Sequence, residues 1–274
     1  MAEPFWGPQT SYLNFCEEDY VVTRYIAEFI NTLSSLTFVA FGLYGLFIYP
    51  GSPTGPRLVS YCGLIGVGLC SAGYHMTLKY HTQMSDELSM HLLTTPLIYR
   101  LLTYKATPQR TKWIGIGLST LFTIVMVTHM VMDEFLLHAS TFGLGVYVIV
   151  TGVIKVIPHQ VPDPKLRSTL RNTTNMGLAF FILGYIVWLI DDWACRHLTD
   201  MRKVVGIPLA FLLELHGWWH VLTAIGGYIA VAVIDLMMSG VLTEDITSHL
   251  AWPVPQAVRL VGALRGSSEE RKKD

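Results

Sequence analysis

Apolar stretches long enough to cross a bilayer recur along the whole chain, and they constrain the fold more than any other feature. A bilayer core of about 30 Å needs roughly 20 mostly apolar residues per helix. By that measure spans are predicted at Ile26–Ile48, Leu58–Tyr74, Leu88–Thr103, Trp113–Met132, Ala139–Ile157, Met176–Ile190 and Ile207–Leu236. Pro50-Gly51-Ser52-Pro53, Pro108 and the group Pro158, Pro162 and Pro164 punctuate the breaks. Only 14% of the 274 residues are charged and 51% are hydrophobic. A soluble domain carries about 25% charged residues, and a lipid-facing surface accounts for the difference. The expected fold is an all-α seven-transmembrane helix bundle over residues 26–238. An acidic segment (1–25) precedes it, and a partly interfacial tail (239–274) with a disordered charged end follows.

Net charge is −1, which removes the basic footprint of a nucleic-acid binder. The acidic N-terminal segment lacks the basic and apolar regions of a cleavable signal peptide. Seven spans place the termini on opposite sides, and 14 of the 19 Lys and Arg residues fall on the C-terminal side. The excess of cytoplasmic basic residues in membrane proteins then puts the C-terminus in the cytosol and the N-terminus in the lumen. The sequon Asn172-Thr173-Thr174 falls in a cytosolic loop of that topology and is expected to be unmodified.

Polar residues inside apolar spans are costly and each needs a cause. Ser71 and His75 lie near the end of the second span, Asp86 opens the third, Asp191 and Asp192 end the sixth, and His216 and His220 lie in the first half of the seventh. Threading the topology puts all of them toward one membrane face. Residues four apart share a helix face, so His216 and His220 can present two imidazoles to one ion and His75 a third. Three protein ligands and one open position is the pattern of catalytic zinc, which would bring a bound water's pKa to about 7. Asp86 or Ser71 would then handle protons or stabilise an oxyanion. Gly217 follows His216 where soluble HExxH metalloproteases carry the general base, so the base must come from elsewhere. Taken singly, Ser71 could bond back to its own helix. His129, His138, His159 and His249 read as packed, hydrogen-bonded side chains, and Trp218 and Trp219 as packing or interface residues.

Asn14, Glu17 and Asp19 crowd one short segment, and Glu28 follows. Two readings stand: an oxygen-rich calcium site or a solvated acidic cap. Cys16 and Cys195 both fall on the non-cytosolic side, where a disulfide is chemically permitted. Cys62 and Cys70 lie within a span and read as packed thiols.

Several stretches together resemble the alkaline ceramidase family, in the manner of fungal members acting on phytoceramide and dihydroceramide. They are Phe5-Trp6-Gly7-Pro8, Cys16-Glu17-Glu18, Tyr25-Ile26-Ala27-Glu28-Phe29 with Asn31, Ser71-x-x-x-His75-Met76-Thr77-Leu78-Lys79-Tyr80, Asp86-Glu87-Leu88, Ile190-Asp191 with Cys195, and His216-Gly217-Trp218-Trp219-His220. The resemblance implies hydrolysis of the ceramide amide in the endoplasmic reticulum or Golgi membrane, with substrate arriving from the bilayer. It implies zinc on His75, His216 and His220, with Ser71 and Asp86 acting beside it. It also implies calcium on the side chains of Asn14, Glu17, Asp19 and Glu28 and the carbonyl of Phe15, and a Cys16–Cys195 disulfide. Asn14 and Asp19 exchange the Asp and Asn that relatives can carry there, which keeps the oxygen donors and the charge sum. Two other classes stand as alternatives. One is a receptor of the adiponectin or progestin type, which has a cytosolic N-terminus. The other is a proton-coupled carrier using the histidines as a relay.

Overall fold

A computed structural model describes residues 3–48, 54–238, 240, 242, 244–245 and 247–261. The charged end and the Pro50-Gly51-Ser52-Pro53 break lie outside those residues. Among the described residues there are no strands, and seven long helices form one bundle: α1 (Phe29–Phe47), α2 (Gly55–Thr77), α3 (Tyr80–Leu102), α4 (Pro108–Met132), α5 (Phe135–Gln160), α6 (Pro164–Val205) and α7 (Leu215–Met238). Proline stands in the first turn of α2, α4 and α6, where a missing N–H costs nothing. Thr107 caps α4, and Asp163 caps α6 by accepting from the amides of Lys165 and Leu166.

Six of the seven helices are long and apolar enough to cross a membrane. The exception is α3, whose inward side carries Gln83, Glu87, Ser89, His91 and Thr94. The lipid-compatible surface is plain on α4, which exposes Ile116, Leu121, Ile124 and Val131 and, among described residues, buries only Met126 and His129. By contrast α7 is buried nearly all round, as an apolar helix at the centre of a bundle should be. It packs on α1 and α6, and α6 comes close because its Gly177 faces Gly226 of α7. A Cβ on Gly226 would lie 2.8 Å from the Gly177 carbonyl oxygen.

Three expectations need correction. The sixth span is not a short Met176–Ile190 segment but part of a 42-residue helix. At 1.5 Å per residue it runs about 63 Å, twice an apolar core. Asp191, Asp192 and Cys195 therefore lie within α6 rather than at or beyond its end. The seventh span is broken where Gly206 and Pro208 interrupt it. A 3-10 turn (Leu209–Leu213) precedes α7, so His216 stands in that helix's first turn. The tail is not simply interfacial, because Leu250, Ala251 and Val254 are buried against the bundle, while Trp252 is exposed. At that same end Asp235 of α7 lies 3.5 Å from Arg57 of α2 and 3.7 Å from Arg100 of α3.

Candidate metal centre and active-site cavity

Local structure delivers the polar residues to one place. Ser71 and His75 are one turn apart near the end of α2, which stops at Leu78 in the left-handed region (φ 50°). That sharp turn starts α3 two residues later and brings Asp86 back beside Ser71. The strained residue is held by its surroundings: its side chain is buried on Tyr74 and Ala27, and its carbonyl accepts from the amides of Thr10 and Ser11.

One ring nitrogen each from His75, His216 and His220 lies within 4.8 Å of the others, and all three rings are buried. Their centroids are 4.6 to 5.0 Å apart. The surrounding hydrogen bonds set two of the tautomers. Ser34 and Ser35 both donate their hydroxyl protons to the Asn31 carbonyl, so the His220 Nδ1 they also meet, at 2.9 and 3.3 Å, must be the donor. His75 Nδ1 faces a carboxylate oxygen of Glu28, which can only accept. Both rings therefore keep an Nε2 lone pair free, and the Ser71 hydroxyl sits 3.4 Å from that of His220. A buried ring nitrogen of His216, Nδ1, has no partner among the described residues. Asp191 positions this ring through the backbone, accepting from the His216 and Cys16 amides at 3.2 Å each. Three imidazoles, two with fixed lone pairs and the third with an orphaned nitrogen, and a carboxylate behind one ring fit a zinc-class cation with a supporting outer shell.

The acidic N-terminal segment packs directly over these rings. Phe15 stacks on His216 with centroids 3.7 Å apart. Its amide donates to Glu28 at 3.2 Å, while Asn14 donates to Asp19 at 3.3 Å. Glu17 is not a solvated cap residue. Its two carboxylate oxygens accept from the amides of Ile30 and Asn31 at 2.7 and 2.8 Å and so cap α1. Burial pushes its carboxyl up to about 8, against the pull of those two donors. Oδ1 of Asp19 is buried with no donor among the described residues. An acceptor left bare among carboxylates fits a hard cation that takes oxygen ligands. Glu28, fully buried, touches both groups: Oε1 takes the Phe15 amide and Oε2 faces His75.

A disulfide joins Cys16 to Cys195, 179 residues apart, and ties the segment to the projecting part of α6. Arg202 seals the join by donating to the Cys16 carbonyl at 2.7 Å and pairing with Glu214.

Ser71, Asp86, His216 and His220 line the polar end of a cavity of about 540 Å³. Apart from Glu87, His138 and a few hydroxyl side chains, its remaining walls are apolar and run along α3, α5, α6 and α7 as far as Leu97, Val153 and Val233. Leu136 of α5 and Ile182 and Tyr185 of α6 line it and are also exposed, so it opens sideways between those two helices. Trp219 lines the cavity, whereas Asp192 is exposed on α6. His159 and His249 are exposed rather than packed. Residue-by-residue reading missed the roles of Glu28 behind His75, Asp191 behind His216, and a second buried group made by Glu87, His129 and His138. Buried acid and imidazole in apolar helices was the available signal.

Comparison with known proteins completes the description. The model of the family described as Ceramidase matches residues 7–260. Over 263 residues the chain is 30% identical to the alkaline ceramidase YPC1 of Saccharomyces cerevisiae, covering 90% of this chain and 83% of the relative. It is 32% identical over 227 residues to alkaline ceramidase 3 of Mus musculus, covering 82% and 83%. A putative alkaline ceramidase of Dictyostelium discoideum, dcd3B, is 27% identical over 252 residues, covering 82% and 85%.

Proposed function

The chain belongs to the ceramidase family, and from that premise we propose that it is a seven-span membrane amidase. It hydrolyses ceramides, dihydro- and phytoceramide among them, to a sphingoid base and a free fatty acid in the endoplasmic reticulum or Golgi membrane. The observation that carries the reading is the meeting of three imidazoles, Ser71 and Asp86 at the polar head of an apolar cavity open toward lipid. A substrate with two hydrocarbon chains suits that shape: its chains fill the apolar length and its amide reaches the polar end. The N-terminus faces the lumen, a side supported by the Cys16–Cys195 disulfide, since such bonds persist in oxidising compartments.

His75, His216 and His220 would hold zinc, which supplies Lewis acidity and a water of pKa about 7 at the amide. The chain's own residues do the rest. The Asp86 carboxylate takes the proton of the attacking water and returns it to the leaving nitrogen as the C–N bond breaks. The Ser71 hydroxyl donates to the carbonyl oxygen as negative charge gathers there. The water's oxygen ends on the fatty acid and its proton on the amine. The apolar walls exclude bulk water and strengthen each of these contacts. Calcium would take oxygens of Asn14, Glu17, Asp19 and Glu28 and the Phe15 carbonyl, and would brace the segment that lies on His216.

Purified protein offered ceramide, dihydroceramide and phytoceramide should release sphingoid base, lose that activity on exhaustive zinc chelation, and recover it when zinc is restored. Undiminished hydrolysis by metal-free protein would remove the zinc role. A second outcome probes the outer shell. Glu28→Gln keeps the shape but weakens the acceptor behind His75, and should lower zinc affinity about 10–100-fold. Chelator competition measures it; unchanged affinity would disconnect Glu28 from the metal.

A further inference from the structure

The bundle contains a second buried donor group that the amidase chemistry does not use. Glu87 of α3, His129 of α4 and His138 of α5 bring one ligand atom each within 4.8 Å of the others. They are 5%, 1% and 4% exposed. Hydrogen bonding alone does not account for them. His129 Nδ1 lies 3.0 Å from the Glu134 carbonyl oxygen, which can only accept, so that nitrogen carries the proton. Its Nε2 then faces a Glu87 carboxylate oxygen. Two lone pairs cannot face each other with nothing between them, so either a proton, on the ring or on the carboxyl, or a metal ion lies there. The His138 ring lies 5.3 Å from that of His129, and the His91 ring 5.2 Å from that of His138, centroid to centroid. Moreover, His138 Nδ1 and His91 Nε2 are buried without partners among the described residues. Gln83 and Tyr12 donate to Glu87 at 3.0 and 3.4 Å, which orients the carboxylate as an outer shell would.

We propose that Glu87, His129 and His138 form a second metal site for a zinc-class divalent transition ion, with His91 placed to serve as a fourth ligand. Two imidazoles and one carboxylate are the donor set of such ions; calcium and magnesium take oxygen ligands instead. The site joins three helices, and His129 is one of the two described residues that α4 buries. Glu87 and His138 also line the cavity, so an ion there borders the space beside Asp86. The assignment is independent of the amidase reading and survives its failure.

The test counts zinc in full-length protein purified in detergent, with calcium in excess so that oxygen-rich sites take no zinc. Wild type should hold about two zinc ions per chain, and the His216→Ala/His220→Ala variant about one. Adding His138→Gln or Glu87→Gln to that variant should bring zinc to background. Cobalt loaded in place of zinc should give a visible d–d absorption in the His216→Ala/His220→Ala variant that disappears with either addition. Elution as a single species with the disulfide intact checks the fold. No zinc in the His216→Ala/His220→Ala variant, or zinc retained there after either added substitution, would overturn the site and leave a hydrogen-bonded polar cluster.

Discussion

His216→Ala should abolish ceramide hydrolysis, lowering turnover by about 10³-fold or more, while the protein still inserts in the membrane. The ring belongs to the only one of the two buried donor groups that contains the i, i+4 pair of α7, and it carries a nitrogen with no other partner. Removing it leaves His75 and His220 two ligands short of a tetrahedral site. Zinc bound at that site should fall with activity, so metal content and rate are measured together. The ring also stacks on Phe15, and its loss could loosen the N-terminal segment. His216→Gln fills more of that space and separates packing from coordination. It should be as inactive as the alanine variant while keeping the Cys16–Cys195 disulfide and a single elution peak. Hydrolysis near the wild-type rate in either variant would end the metal assignment.

Asp86→Asn should lower kcat by about 10²–10⁴-fold, the span of a lost general acid–base, with zinc content unchanged. The two substitutions therefore differ in a measurable way. Asp86 lines the cavity beside Ser71, His216 and His220 but is outside the group of three that share donor distances. An amide in place of the carboxylate keeps size and polarity but cannot accept the water's proton. Because the apolar walls proposed to hold the substrate chains are untouched, KM should change little. A variant that loses zinc along with activity would move Asp86 into the coordination sphere. One that keeps full kcat would assign proton transfer to another group.

How much could be read before any coordinates depends on the range of the contact. The pairs Ser71/His75 and His216/His220 are one turn apart, so helical geometry alone puts each pair on one face. Their depth follows from hydropathy, because long apolar runs cannot avoid spanning. The resemblance to a family supplied the pairing of Cys16 with Cys195, which no spacing rule contains. The reading went astray where local pattern was indecisive. Polar residues after Ile190 looked like the end of a span, yet α6 continues to Val205, because Cys195 and Arg202 have the N-terminal segment to bond to. His129 and His138 each looked like an ordinary packed histidine. Only the approach of α3, α4 and α5 brings them to Glu87.

From its residues alone the chain was bound to be helical, membrane-embedded and equipped with three histidines at one depth, since these follow from apolar run length and the 3.6-residue turn. Tertiary structure decided that Glu28 stands behind His75 and Asp191 behind His216, that Glu17 caps α1, and that the cavity opens between α5 and α6. Those facts depend on how helices distant in sequence lean on one another. Close packing selects that arrangement across the whole bundle at once, and no single segment encodes it.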